Sequence, residues 1–399
     1  RAEGTGHRRA LADARFPEGA LAGLSSEDPR RALLSMPSLP ARARRDDDAI
    51  ERISIDAIRR FLECPIQGHA RLAIGIDRDA PDASAEDEPF EVARLERERV
   101  LIDVFLGALE GDDAQLLERY EERIAQSAAH GSWPIGPLAE LRRDADRIDL
   151  AAWRRAFSRW DPGTRLHRWR FGSSAAAPTE RASDVVDRPH EPVSIAFARA
   201  PSGEASTGAS SIDVIGATRW LLPSGDALSP TTSSMLEGDG ERAKVERLKH
   251  ALRAFVDHAV ISAAGLAGSG VRRAWVLDRS QDGPLVIQLA PMRKEAASRW
   301  LAGVLDDLRS GPHGLFLPCE AVLRADTLFT RGSDNPSEEL ARSIEQVRTK
   351  SQWQGGSSRF GPVRDAIEHP APEPARALAI AGRRFRTFFE HLRGVRRAT

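Results

Sequence analysis

The stretch Ile53–Ile76, ISIDAIRRFLECPIQGHARLAIGI, sets the narrowest limits on what this chain can fold into. Ser54 is placed to cap a helix whose apolar residues Ile55, Ile58, Phe61 and Leu62 share one face. Asp56 falls in the first turn, where the helix dipole favours an acid. Cys64-Pro65 stops that helix. A second short helical run through Ala70, Ala73 and Ile74 ends at Gly75, so two small helices form a compact lead-in before a new fold begins.

With 399 residues the chain can hold two or three cored domains. It starts at Arg1 with no apolar signal run, so it is expected to be cut from a longer protein. Nothing approaches the run of about 20 apolar residues that a membrane span requires, and a soluble protein without a membrane partner is expected. The formal net charge of −1 gives no global basic field, so any DNA contact must come from local patches. The positive charge is nearly all arginine, the lysines being Lys244, Lys249, Lys294 and Lys350, a bias that a GC-rich genome explains. Cys64 and Cys319 offer neither a disulfide framework nor a metal knuckle, which fits a reducing cytoplasm.

Residues 1–50, with the charge-mixed runs SSEDPRR and PARARRDDD, read as a disordered linker or the tail of an upstream domain. Residues 51–160 read as a helical layer. Its helices span Glu91 to Leu109, then a run capped by Asp112 with Gln115 that buries Leu116, Leu117, Tyr120 and Ile124, and then Leu138 to Trp160, stopped by Asp161-Pro162-Gly163. Strand character takes over at Leu166–Phe171, Val193–Ala200 and Ser211–Leu222, with Gly172–Pro192 and Pro201–Ser210 as loops. A long helix from Glu241 to Ala267 follows, then strands Arg272–Arg279 and Leu285–Ala290. Helices Lys294–Arg309, one opening at Asn335-Pro336-Ser337-Glu338, and Ala375–Leu392 complete the chain. Residues 161–399 thus predict an α/β domain, a mixed sheet flanked by helices.

The residues of the leading stretch, S-x-x-x-[IL]-x-x-F-L-x-C-P-x-Q-x-x-A-R-x-x-[IL]-G-[IL], resemble the start of the C-terminal domain of the exodeoxyribonuclease V gamma subunit, RecC. Glu86-Asp87-Glu88-Pro89-Phe90-Glu91, Leu317–Leu323, Ser357–Pro362 and Arg383-Arg384-Phe385 resemble later landmarks of that family, so the resemblance runs from about residue 53 to 392. It implies a PD-(D/E)xK nuclease-like fold that has lost its catalytic residues, within a RecBCD-type complex that processes double-strand DNA ends for recombinational repair. The partners it implies are a RecB-like helicase and nuclease subunit, with a RecD-like subunit left open, together with double-stranded and single-stranded DNA.

The chemistry can be tested on the residues themselves. A PD-(D/E)xK site needs an Asp on one strand and an Asp or Glu two residues before a Lys on the next, two carboxylates holding Mg²⁺ while the lysine positions water. The residues two before the four lysines are Arg242, Arg247, Met292 and Arg348, so (D/E)-x-K is absent. Where related active nucleases read G-x-x-D, this chain has Gly216-Ala217-Thr218-Arg219, and where D-x-K would follow it has Ser229-Pro230-Thr231-Thr232. Asp213 is the carboxylate left on that strand and is expected to be a strand-edge charge; the rival reading makes it the centre of an irregular metal site in an active nuclease. No G-x-x-x-x-G-K-[ST] loop occurs, so no cofactor is expected in this chain, and ATP and Mg²⁺ use falls to partner subunits. Asp257-His258 points in two directions from one helix and is expected to be solvated or capping.

Two regions combine arginine with aromatics in the way that suits phosphate contact and base stacking, or a protein interface. One is Arg154, Arg155, Arg159, Arg165, Arg168 and Arg170 among Trp153, Trp160 and Trp169. The other is Arg383, Arg384 and Arg386 with Arg393, Arg396 and Arg397. A third possibility, a scaffold that binds protein alone, predicts little salt dependence of DNA binding.

Overall fold

Ser54 starts the first helix as its sequence demands. Its hydroxyl accepts a hydrogen bond from the Ala57 amide at 3.1 Å, and α1 (Ile55–Glu63) buries Ile55, Ile58, Phe61 and Leu62. The computed structural model describes residues 51–69, 94–109, 111–160, 164–172, 185–197, 211–280, 282–310, 315–353 and 370–398. The expectations for residues 1–50, Ala70–Gly75, Glu86–Glu91, Asp161–Gly163 and Ser357–Pro362 lie outside them.

Residues Glu51–Ser54 form a strand, β1, and α2 (Pro65–His69) follows α1. Then come α3 (Arg94–Leu106), α4 (Asp113–Ala129) and α5 (Gly136–Phe157). Asp112 caps α4 by accepting from the Gln115 amide at 2.9 Å, and Leu116, Tyr120, Ile124 and Ser127 turn inward. Leu117, expected inside, is exposed, because neighbours on a helix stand about 100° apart and Leu116 takes the inward position.

The strands are β2 (Leu166–Phe171), β3 (Val185–His190), β4 (Val193–Ala196), β5 (Ser211–Ala217), β6 (Trp220–Leu221) and β7 (Ala227–Pro230). After helix α6 (Glu241–Ala263) come β8 (Arg272–Leu277) and β9 (Leu285–Leu289). Helices α7 (Lys294–Ser310), α8 (Cys319–Arg324), α9 (Thr327–Thr330), α10 (Pro336–Trp353) and α11 (Pro374–His391) lead to β10 (Leu392–Arg397). These strands make a curled mixed sheet in the order β1-β5-β2-β6-β7-β8-β9-β10, with β3 beside β2 and β4 beside β5. The pairs β1–β5, β2–β3 and β7–β8 are parallel and the others antiparallel.

Four strands, β1, β3, β7 and β10, stand where none was expected, and β3 lies within the segment read as a loop. The strand expected over Ser211–Leu222 is two, broken where the Thr218 amide donates to the Trp169 carbonyl at 2.9 Å.

Side chains alternate across the sheet and build a core on each face. One core joins Phe171, Leu221, Ala227 and Val276 to α1, α6, α7 and α11 through Phe61, Phe255, Trp300, Phe385 and Phe388. The other joins Leu166, Leu222, Leu228 and Leu277 to α3, α4 and α5 through Phe105, Tyr120 and Trp153. The helical layer expected over residues 51–160 is thereby divided, with β1 and α1 in the first body and α3 to α5 in the second. The result is an α/β architecture, a mixed sheet with helices on both faces. Among the described residues no helix is long and apolar enough to cross a membrane.

Candidate functional site

The break between β5 and β6 decides what stands where the chain leaves β5. Thr218 pins the chain on both sides, accepting from the Trp169 amide at 3.1 Å and donating to the Arg219 carbonyl at 2.9 Å. Arg219 then reaches across to β7, where its Nη1 donates to Ser229 Oγ at 3.0 Å. Arg219, matched in the sequence to the first metal-binding carboxylate, therefore does meet the Ser229–Thr232 stretch matched to D-x-K. What meets there is a guanidinium and a hydroxyl.

Four further charged residues close round Arg219. Its amide donates to Asp257 Oδ2 at 3.5 Å, and Asp257 on α6 also accepts from Arg59 of α1. Arg253, one turn earlier on α6, forks onto Glu63 of α1, Nη2 to Oε2 at 2.9 Å. Burial, followed by the fields of Arg59 and Arg253, pushes the Arg219 guanidinium down to about 10, against the pull of Asp257 and Glu63. Arg59 and Arg253 go the other way: burial opposes their charge, but Asp257 with Asp56 outweighs it for Arg59, and Glu63 for Arg253. At neutral pH all three arginines stay charged. Three guanidiniums repel a divalent cation, and the two carboxylates beside them are each tied to an arginine, Asp257 to Arg59 and Glu63 to Arg253.

Asp213 is not the strand-edge charge expected of it. It is 5% exposed, flanked in register by Arg52 of β1 and Ser194 of β4, and accepts from Ser194 Oγ at 2.5 Å. Strand order, which the sequence does not reveal, puts β5 inside the sheet. Gly216, three residues on, has φ 103°, a left-handed conformation at the strand's end. Among the described residues no group of three or more His, Cys, Asp and Glu could hold a metal ion.

The Asp257-His258 pair is also corrected: both are buried rather than solvated or capping. Asp257 neutralises Arg59, whereas His258 Nε2 meets the Ala290 carbonyl at 2.9 Å. A carbonyl only accepts, so the ring carries its proton on Nε2. Sequence reasoning missed the Arg59–Asp257 and Arg253–Glu63 links. The available signal was an aspartate inside the apolar run AFVDHAV, since a buried carboxylate needs a cationic partner.

The first arginine and tryptophan region is mostly engaged within the protein. Trp153 is buried and donates to the Thr231 carbonyl at 3.2 Å, while Arg154 Nη1 holds the turn after α3 through the Ala108 and Leu109 carbonyls at 3.0 and 2.9 Å. Trp160 packs edge-on against Trp275 at 5.3 Å. Arg168 and Arg170 share Asp187 of β3, at 3.2 and 2.7 Å, and Arg188 lies 5.7 Å over Trp169. Burial pushes the Asp187 carboxyl up, but the two guanidiniums outweigh it and hold its pKa below the usual range. Arg155, Arg159 and Arg165 remain on the surface.

In the second region Arg384 is corrected from contact surface to core. It is 2% exposed, its Nε donates to Asp307 Oδ2 at 2.9 Å, and its guanidinium lies 4.6 Å over the Phe61 ring. Arg383 shares Asp307 at 2.9 Å and stays at the surface, as do Arg386, Arg393 and Arg396. Arg397 forks onto Asp278 with both contacts at 2.7 Å.

No curated protein matches the chain. A family model described as the RecC C-terminal domain matches residues 50–324, from β1 through α8, and so takes in the sheet up to β9, α6 and the whole Arg219 cluster. With that match spanning more than half of its length, this chain belongs to the RecC C-terminal domain family.

Proposed function

We propose that this chain is the C-terminal part of a non-catalytic subunit of a RecBCD-type, ATP-dependent helicase and exonuclease that processes double-strand DNA ends for recombinational repair. Its sheet and helices are read as an inactive PD-(D/E)xK nuclease-like fold. It holds a RecB-like motor and nuclease subunit, with a RecD-like subunit as a further partner, and contacts double-stranded and single-stranded DNA. ATP and Mg²⁺ act in the partner subunits.

The observation that carries this reading is the Arg219–Ser229 contact. Phosphodiester cleavage by this class of fold needs a metal to polarise the phosphate and a base or metal to ready the water. A half-buried guanidinium with its pKa near 10 supplies neither, because it holds its proton and offers no lone pair. It can still hold β5, β7 and α6 together, which suits a domain kept for its shape. Arg155, Arg159 and Arg165 on the surface support DNA or partner contact.

The test is degradation of linear DNA with Mg²⁺ or Mn²⁺ by the purified chain and by Asp213→Ala, each with and without a RecB-like subunit and ATP. The reading expects no cleavage by the chain alone and ATP-dependent degradation when the partner is added, equal for both proteins. Cleavage by the chain alone that disappears in Asp213→Ala would make it a nuclease in its own right. DNA binding by the assembly should weaken steeply with salt.

A further inference from the structure

On the face that carries α3 to α5, one row of side chains crosses the sheet from β2 to β10. Trp220, Leu228, Trp275, Val286 and Arg396 are register partners in turn from β6 to β10. Arg168 of β2 stands level with Trp220, one step past the His167–Leu221 pair, and so points to the same face. Leu228 and Val286 are 0% and 5% exposed, whereas both indoles and Arg168 are half-buried and Arg396 is exposed. The row therefore shows solvent two indoles and two guanidiniums, with the aliphatic side chains sunk between them.

Beside it stands Arg273, exposed, two residues before Trp275 and on the same face. Arg168 and Arg170 divide one carboxylate, Asp187, between them, and Asp226 accepts from the Arg273 amide at 3.0 Å. Among the described residues the guanidiniums of Arg273 and Arg396 have no hydrogen-bond or ion-pair partner. Arg168, Arg170, Arg273 and Arg396 thus stand against Asp187 and Asp226, and the face keeps a positive excess.

Indoles set among such arginines suit a ligand that offers flat π-faces and anionic links in one chain. Neighbouring strands lie about 4.8 Å apart, so the two indoles are roughly 10 Å apart and the ends of the row, Arg168 and Arg396, about 24 Å. That span takes about four nucleotides of an extended strand, the low end of what one single-strand-binding fold covers. A duplex keeps its base faces stacked inside and offers the indoles nothing, and an aliphatic protein surface would leave the arginines unpaired.

We propose that this row binds single-stranded DNA, bases stacking on Trp220 and Trp275 while Arg168, Arg273 and Arg396 hold phosphates. The proposal rests on the reading of the chain as part of a complex that processes DNA ends, and it names the surface on which a single strand lies.

The test is fluorescence anisotropy on the full chain with labelled oligothymidylate of about 12 nucleotides, beside a duplex of the same length. The wild type should prefer the single strand. Trp220→Leu and Trp275→Leu should each weaken that binding about ten-fold with the salt slope unchanged, because a stacked base is lost and a phosphate contact is not. Arg273→Gln/Arg396→Gln should also weaken it, and should lower the slope of log K against log salt by about 1.4, two phosphates at about 0.7 each. Both arginines are exposed, so this variant should melt as the wild type does on circular dichroism. A wild type that binds neither probe, or binds the duplex as well, would overturn the proposal. So would tryptophan or arginine variants that bind the single strand like the wild type.

Co-purification with a RecB-like subunit separates the other occupant. Variants that lose single-strand binding yet still assemble support the proposal. An arginine variant that fails to assemble would make this face a protein interface and overturn it. Failure of the wild type itself to assemble counts against the proposed complex, while the oligonucleotide titration still decides the face.

Discussion

Replacing Asp257 by alanine should unfold the protein at a much lower temperature, and the size of the effect follows from who is left behind. The Asp257 side chain is fully buried and its partner Arg59 is 11% exposed, so the substitution leaves a guanidinium with little access to water. Breaking a buried pair from one side costs roughly 3–5 kcal/mol. Asp56 keeps its bond to Arg59 but is 64% exposed, a weak substitute, so the lower end, about 3 kcal/mol, is expected. At about 2–4 °C per kcal/mol this lowers the Tm by roughly 6–12 °C, read from thermal and urea unfolding by circular dichroism. Asp257→Asn keeps the shape and should still lose most of that, because the missing quantity is the charge. Arg219→Gln in the Asp257→Asn background should then recover about 1 kcal/mol, since it removes one of three crowded cations. An Asp257→Ala protein that melts within a degree or two of the wild type would refute the view of this cluster as a charge-balanced brace. So would an Arg219→Gln change that adds to the damage.

Burial, with help from Arg272, pushes the His258 ring down to about 4 from 6.5. The unfolded chain therefore takes up the proton first on acidification, and this stability is full above pH 6.5 and falls away towards pH 4 by up to about 3 kcal/mol. His258→Gln should flatten that part of the stability profile, and an unchanged slope would count against it. Gly283 has φ 93°, and a Cβ there would sit 2.4 Å from the Ala398 carbonyl oxygen. Gly283→Ala should cost about 1–3 kcal/mol and speed hydrogen exchange in β10, and unaltered exchange there would show that the turn has slack.

The helices could be read from the sequence because each carries its own signal: Ser54 and Asp112 as caps, and apolar residues at helical spacing on α1, α4 and α11. The strands that escaped lack such signals. Strand β3, VVDRPH, is exposed from Val186 to Pro189 and contains a proline, so alternation does not mark it. Strand β7 is four residues, all buried, ending in Pro230, and β10 is an arginine-rich run with a register shift between Leu392 and Gly394. Motif spacing located the Arg219 and Ser229 positions, but it could not show that they touch. Nor could it join Arg59 to Asp257 or Arg253 to Glu63, because those contacts span 198 and 190 residues and depend on how α1 lies on α6. Arg384 looked like surface because arginines usually are; only the fold shows that Asp307 and the Phe61 ring await it inside.

The pairing of β10 with β9 has a consequence for how the protein is made. Strand β9 finds one neighbour, β8, almost at once, but its other edge waits for Leu392–Arg397, which leaves the ribosome only after α7 to α11. At about 5–20 residues per second that is a delay of several seconds or more, during which Leu285–Leu289 presents an unpaired row of backbone amides and carbonyls. An open edge of that kind is a template for another nascent chain. Nascent chains stalled before β10 should therefore be the species that aggregate and need a chaperone. Release of that demand would mark the moment when Arg397 closes on Asp278.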